Sequence, residues 1–437
     1  VHEHACMHHN SAQTQTRVRT RVVAERQMLR RLWQGSAAVR HRGLVRARTF
    51  ATASSTSAAA FLASFLKPVG MGYAITVAIA LAAQRKLQYF PLAEHPAHPQ
   101  RVHPLFASIE EHEVTSADGT RILLWHWPAP RAGDAVVAPW YLDGSGGESK
   151  LGPVMRALRA QDARRARFDV LQFHGNAGSR EGRLAWMHLV REGLGCSVTV
   201  VDYRGYGGSE GSPTERGLID DGDAALSWLR GRQRTAAGRR LILWGESIGT
   251  GVAMGLVERQ YLSPRRPPPR PVEVGEQDGA GPSSAESTAS SRPKGEASTP
   301  PLYVILEAGF SSCVDVAAQA YPWLPVRLGM LDRYESAARA RRVATSLGQP
   351  SARPPPRRDD RRERQHQQLA FLSIHGEDDE IAPIELGRAL FDALPPARKR
   401  WLALQGTGHN DVPFHDPARY LREVAAFLDQ EVEGGAE

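Results

Sequence analysis

Between residues 170 and 404 short unbroken apolar runs alternate with longer stretches in which apolar positions recur every three or four residues. The runs at 170–173, 198–201, 241–244, 302–306, 369–374 and 401–404 read as strands. Helical spacing appears near 183–192, 218–229, 252–258, 384–394 and 417–430. Strands that are apolar throughout, each followed by a helix, predict a mostly parallel central sheet covered by helices on both faces. Ahead of this, residues 105–128 predict two strands joined by a turn at Ser116, Ala117, Asp118 and Gly119, with period-two alternation from Ile122 to Trp125. The stretch 129–167, rich in Gly and Arg, reads as a loose connection.

Two segments break the rhythm without interrupting a strand. Residues near 263–301 are dense in Pro, Ser, Glu and Arg, and those near 349–368 in Pro and Arg. Both read as disordered, solvated inserts. The apolar stretch at 57–84 has a different character. Its cleanest part, 68–83, covers about 24 Å as a helix at ~1.5 Å per residue, less than the ~30 Å hydrocarbon core of a bilayer. With residues 58–66 added it is long enough, Pro68 acting as a kink and Lys67 lying near one interface. A single-pass membrane anchor is expected, and a buried or interfacial helix is the competing reading.

Charge alters this picture only at the N-terminus. The net charge of +8 comes mostly from arginine, much of it in residues 1–56, where Glu3 and Glu25 are the only acids. That region reads as a basic, disordered extension preceding the main domain, 85–430. Arginines before the anchor, against Arg85 and Lys86 just after it, favour a cytosolic N-terminus and a main domain on the far side. An arginine-rich start also resembles a mitochondrial presequence, but an endomembrane or ER location is preferred. No aromatic-basic platform is evident, so no nucleic-acid partner is expected. His2, His4, His8 and His9 invite a metal reading that a solvated tail, lacking outer-shell partners, does not support. Cys6, Cys196 and Cys313, the only cysteines, are too scattered for a disulfide framework.

The candidate chemistry begins at Gly245-Glu246-Ser247-Ile248-Gly249, which joins the 241–244 strand to a helix. A serine on so sharp a turn presents its hydroxyl at the strand end, making Ser247 the candidate nucleophile, and the N–H of Ile248 lies where an oxyanion would form. A serine needs a base, and the base an acid to orient it. In open sheets the site lies beyond the carboxyl ends of the strands. After the 369–374 strand comes an acidic turn from which Asp379 is chosen as the acid, with Asp378 and Glu307 as alternatives. After the 401–404 strand comes Gly406-Thr407-Gly408-His409, making His409 the base. A second oxyanion donor is expected from the Gly-rich loop after Phe173, at the backbone N–H of Asn176 or Ala177. This chemistry needs no metal or cofactor.

Five motifs in one order, His174-Gly-Asn-Ala-Gly, Asp202-Tyr-Arg-Gly-Tyr-Gly, Gly245-Glu-Ser-Ile-Gly-Thr-Gly, His375-Gly-Glu-Asp-Asp and Gly408-His-Asn-Asp, resemble the α/β-hydrolase superfamily. With Gln84-Arg-Lys-Leu-Gln-Tyr-Phe-Pro they are similar to its membrane-anchored ABHD/Bem-type branch. The resemblance implies an α/β-hydrolase fold with a small lid, sought at 321–331. It implies the same roles for Ser247, Asp379, His409 and the Asn176/Ile248 region. The implied partners are membrane lipid and an acyl ester or thioester substrate, palmitoyl-protein included. A catalytically silent scaffold on the same fold is the alternative, and a peptidase is disfavoured by the apolar lid sequence. The two inserts and the basic extension depart from the branch's pattern.

Overall fold

The computed structural model describes residues 55–131, 133–139, 151–161, 168–233, 239–262, 302–348, 369–395 and 398–433. Both Pro-rich inserts, nearly all of the basic extension, and the histidines read there lie outside these residues. In chain order the elements are helix α1 (Ser55–Gln88), strands β1 (Phe90–Pro91), β2 (Glu110–Thr115) and β3 (Arg121–Trp127), and helix α2 (Leu151–Gln161). Then come β4 (Phe168–Phe173), β5 (Ala177–Gly178), α3 (Leu184–Leu194), β6 (Ser197–Asp202), α4 (Glu215–Gln233), β7 (Arg240–Glu246) and α5 (Ile248–Leu262). The chain continues with β8 (Leu302–Glu307), α6 (Cys313–Ala320), α7 (Val326–Gly329), α8 (Ser336–Gly348), β9 (Leu369–Gly376), α9 (Ile384–Ala393), β10 (Lys399–Leu404) and α10 (Pro417–Glu433).

Eight strands form one sheet in the order β10-β9-β8-β7-β4-β6-β3-β2. From β10 to β6 all neighbours are parallel, and β3 is antiparallel to both β6 and β2. This is the α/β-hydrolase arrangement. Side chains alternate across the sheet, so each apolar strand feeds two cores. On β7, Leu241 and Leu243 join α4, α5, α8 and α9 on one face, while Ile242 and Trp244 join α2, α3 and α10 on the other. Filling both faces is why the strand sequences carry no polar alternation.

The loose connection expected at 129–167 contains α2, which the sequence reading passed over. Leu151, Met155 and Leu158 are buried against α3 and α10, a spacing of four and three residues that marks one helix face. Gly152, Pro153 and two arginines obscured it. Helix α1 is a single helix of 34 residues with Pro68 inside it. Among the described residues, 66–88 form one span long and apolar enough to cross a membrane, and none of it is buried. The 321–331 segment lies between α6 and α8, contains α7, and leaves Trp323 and Leu328 exposed.

Candidate active site

The chain turns most sharply after β7. Ser247 has φ 53°, in the left-handed region that disfavours side chains. The strain is held by backbone hydrogen bonds, Ser247 N–H donating to the Glu307 carbonyl (2.9 Å) and Thr250 N–H to the Ser247 carbonyl (3.0 Å). Glycine is obligatory on both sides. A Cβ at Gly249 would lie 2.0 Å from the Phe173 carbonyl oxygen, and one at Gly245 would lie 2.6 Å from backbone atoms of Gly249 and Thr250. The first turn of α5 is thereby pressed against the end of β4.

Because β4, β7, β9 and β10 are parallel, their following loops gather at one edge of the sheet. There the Ser247 hydroxyl donates to His409 Nε2 at 2.9 Å, and His409 Nδ1–H donates to Asp379 Oδ2 at 2.7 Å. The carboxylate can only accept, so the proton between them sits on Nδ1, and Nε2 offers its lone pair to the hydroxyl. Asp379 is fixed by two further donors, the N–H groups of Ile381 (3.0 Å) and Ala382 (2.7 Å), both to Oδ1. Of the alternatives, Asp378 is exposed. Glu307 turns into the α3/α10 core, where its carboxylate accepts from the Tyr420 hydroxyl (2.7 Å) and Trp244 Nε1–H (3.2 Å).

Burial disfavours a charged His409, but the Asp379 carboxylate's field and hydrogen bond, with Glu246 and Glu380 behind it, outweigh burial and raise the imidazole pKa above its usual 6.5. Burial likewise penalises the Asp379 carboxylate. The His409 charge and hydrogen bonds from His375, His409 and Ala382 outweigh it and hold the carboxyl well below the usual range. Both directions favour an ion pair when the histidine takes a proton.

The oxyanion candidates open α5 and lie in the loop after β4. Ile248 opens α5, so its N–H has no acceptor within the helix. Asn176 is held from several sides. Its side-chain amide donates to the Gln88 carbonyl (2.9 Å), while its carbonyl accepts from Phe90 N–H (2.9 Å) and the Tyr206 hydroxyl (2.8 Å). These bonds fix the loop that carries the Asn176 backbone N–H.

Three features of the site were not visible as such in the sequence. His375 stands behind the acid, its Nε2 at 3.2 Å from Asp379 Oδ2 and 2.8 Å from the Ala382 carbonyl, with its ring stacked on Trp401. Arg183 grips Glu246 with two hydrogen bonds of 2.8 and 3.0 Å beside Gly175. The third is buried Asp202, which accepts Arg180 N–H (2.6 Å), pairs with the Arg180 guanidinium and stands 3.4 Å from His174 Nε2. It ties the loop after β4 to the loop after β6. The sequence offered His174 and Asp202 as parts of separate glycine-rich turns and did not single out Arg180, and nothing in their spacing announced the contact.

No protein-family model matches the chain. It is 29% identical to an uncharacterised protein of Mycobacterium tuberculosis (strain H37Rv) over 347 residues, 79% of this chain and 88% of that one. It is 28% identical over 257 residues to the lysophosphatidylserine lipase ABHD12 of Danio rerio, and 29% identical over 254 residues to that of Macaca fascicularis. These matches cover 57% of this chain but only 52% and 50% of the lipases, about half their length. Among solved structures, an esterase from Pyrococcus furiosus covers 78% of this chain and 97% of its own at 15% identity and a TM-score of 0.42.

Proposed function

We propose that this member of the α/β-hydrolase superfamily, related to the ABHD12 lipases, is a membrane-tethered serine hydrolase of acyl esters. The reading is carried by the continuous hydrogen-bonded series from Ser247 through His409 to Asp379, built on a strained elbow at the carboxyl edge of the sheet. In the proposed cycle Ser247 attacks the substrate carbonyl while His409 takes its proton, and the Asp379 charge stabilises the imidazolium. Backbone N–H groups of Ile248 and Asn176 hold the oxyanion. His409 then protonates the leaving alkoxide, a water activated by the same histidine attacks the acyl-enzyme, and the carboxylic acid leaves. The proton taken from Ser247 leaves with the alcohol, and the one His409 takes from water passes to the Ser247 oxygen as the acyl bond breaks, so Ser, His and backbone donors suffice.

Carboxylic esters and thioesters both fit this cycle, so palmitoyl-protein stays among the candidate substrates. The lysophosphatidylserine lipase activity of the vertebrate relatives directs the first lipid test to a single-chain phospholipid such as a lysophosphatidylserine. Tethering is supported by the exposed 66–88 span. We read residues 57–84 as one single-pass anchor, 85–430 as the hydrolase unit with its inserts, and the membrane as an endomembrane.

The test is labelling of wild type and Ser247→Ala by a fluorophosphonate probe, with turnover of p-nitrophenyl esters and of lysophosphatidylserine. Labelling and turnover lost together in the variant support the reading. A folded wild type that neither labels nor hydrolyses any ester refutes it in favour of a silent scaffold.

A further inference from the structure

Helix α1 carries the 321–332 segment along one side. Tyr73 donates its hydroxyl hydrogen to the Trp323 carbonyl (2.9 Å), and Gln84 accepts from Leu331 N–H (2.7 Å) while donating to the Gly329 carbonyl (3.3 Å). Arg85 closes the strap with an ion pair to Asp332 at 2.8 Å. From Tyr73 to Arg85 this covers about 18 Å of helix at ~1.5 Å per residue. The strap is bonded to α1 largely through its backbone and leaves its large side chains outside. Leu328 is 90% exposed, Leu331 61% and Trp323 54%, and on the bare side of the same helical stretch Ile75 and Ile79 are exposed at 53% and 63%.

The lengths make sense of this. The 34 residues of α1 extend about 51 Å, whereas the hydrocarbon core needs only ~30 Å. The apolar span 66–88 takes up about 34 Å of that length, and the strap lies along it. We propose that the strap and the last turns of α1 form one lipid-facing surface. The helix enters the hydrocarbon through its apolar span, residues 66–88, while the strap beside it brings Trp323 and Leu328 to the interfacial layer of the same bilayer. Tryptophan favours that layer, where one edge of the ring can stay wet. Arg327, paired with Asp315 at 3.0 Å and itself two-thirds exposed, sits next to Leu328 within reach of lipid phosphates. This inference rests on the membrane-tethered reading above. The helix that meets the lipid ends at Gln88, whose carbonyl is bonded to Asn176 in the proposed oxyanion loop, so the lipid-facing helix and the proposed site are joined directly.

The full chain, with Cys6→Ser, is reconstituted in phosphatidylcholine vesicles, with an environment-sensitive fluorophore attached at Leu328→Cys. Cys196 and Cys313 are buried and shielded from labelling. Replacing part of the lipid by chain-brominated phosphatidylcholine is expected to quench the probe at 328, and likewise one at Ile75→Cys on the bare side of α1. A probe at Arg422→Cys, on α10 beyond the opposite face of the sheet, should stay bright. An unquenched probe at 328 beside a quenched one at 75 would overturn the lipid-facing strap and leave the anchor standing. Unquenched probes at both positions would overturn both. Fluorophosphonate labelling of the same samples reports separately on the hydrolase. Loss of that labelling with quenching intact would remove the catalytic reading while supporting the lipid face.

Discussion

At the carboxyl edge of the sheet polar groups are buried and tightly partnered, whereas along α1 and the strap large apolar groups stand exposed among the described residues. Asp379 accepts two backbone N–H groups and a histidine; Leu328 is 90% exposed. A buried carboxylate without its donors would be strongly unfavourable, so the first region is held together by its own partners. Exposed leucine and tryptophan gain nothing from water, and in the inference above the second region is completed by the bilayer. One region is finished as folded and the other awaits a partner, which makes them respond to substitution in opposite ways.

The largest effect is expected at the nucleophile. Ser247→Ala should cut ester turnover by about 10⁶-fold, the order seen when a triad serine is removed, with the melting temperature close to wild type. Residual turnover in the range of a hundredth of wild type would show that another group attacks. Next comes Asp379→Asn, expected to lower kcat by about 10⁴-fold through loss of the tautomer that keeps Nε2 free. The pH profile sharpens this. His409 must be neutral to act as base, and its pKa is raised, so the acidic limb of kcat/KM should lie above pH 6.5. With the carboxylate replaced by an amide, burial is left to dominate and the limb should move down. A limb unmoved by the substitution would separate Asp379 from the base.

How much of this was legible follows the same division. Strands such as 241–244 and 369–374 are buried on both faces and announce themselves by composition, and the three residues of the candidate triad follow strands of one parallel sheet, so their order along the chain implied their meeting. The identity of the acid was a choice among carboxylates that composition could not make. Glu307 ends a strand just as promisingly, and only its pointing toward Trp244 and Tyr420 removes it. Asp202 and Arg180 joined two loops across the site without any sequence signal, because an ion pair between loops has no period. Helix α2 was overlooked because its Gly, Pro and Arg residues outweighed a three-residue apolar face.

A glycine substitution probes how closed the first region is. At Gly249 a Cβ would press on the Phe173 carbonyl oxygen at 2.0 Å, and a backbone atom cannot swing aside. Gly249→Ala should therefore destabilise by about 3 kcal/mol, the upper part of the overpacking range, read by chemical denaturation. A neutral result would mean that the elbow can open.

Glu307 gives a smaller, pH-dependent signal. Burial, then the neighbouring Glu246 charge, push its carboxyl up to about 7 from an ordinary 4.5. The folded state therefore holds this proton more tightly than the unfolded chain does. The resulting stabilisation is complete below about pH 4.5 and is lost as the pH rises to about 7. Glu307→Gln keeps an acceptor for Tyr420 and Trp244 and has no proton to lose, so its stability should fall less over that window, by up to about 3 kcal/mol. Parallel curves for the two proteins would place the charge elsewhere.

The smallest effect is expected where exposure is greatest, and it is the one that separates the two regions. Leu243 is fully buried beside the elbow strand, and Leu243→Ala should cost about 2–5 kcal/mol in detergent, through lost burial and the cavity left behind. The chemically identical Leu328→Ala should stay within about 0.5 kcal/mol of wild type there, since the side chain packs against little of the protein. Denaturation of both variants in one detergent compares them directly. If Leu328→Ala approached the cost of Leu243→Ala, the strap's apolar residues would be part of the folded core, and their exposure would no longer call for an outside partner.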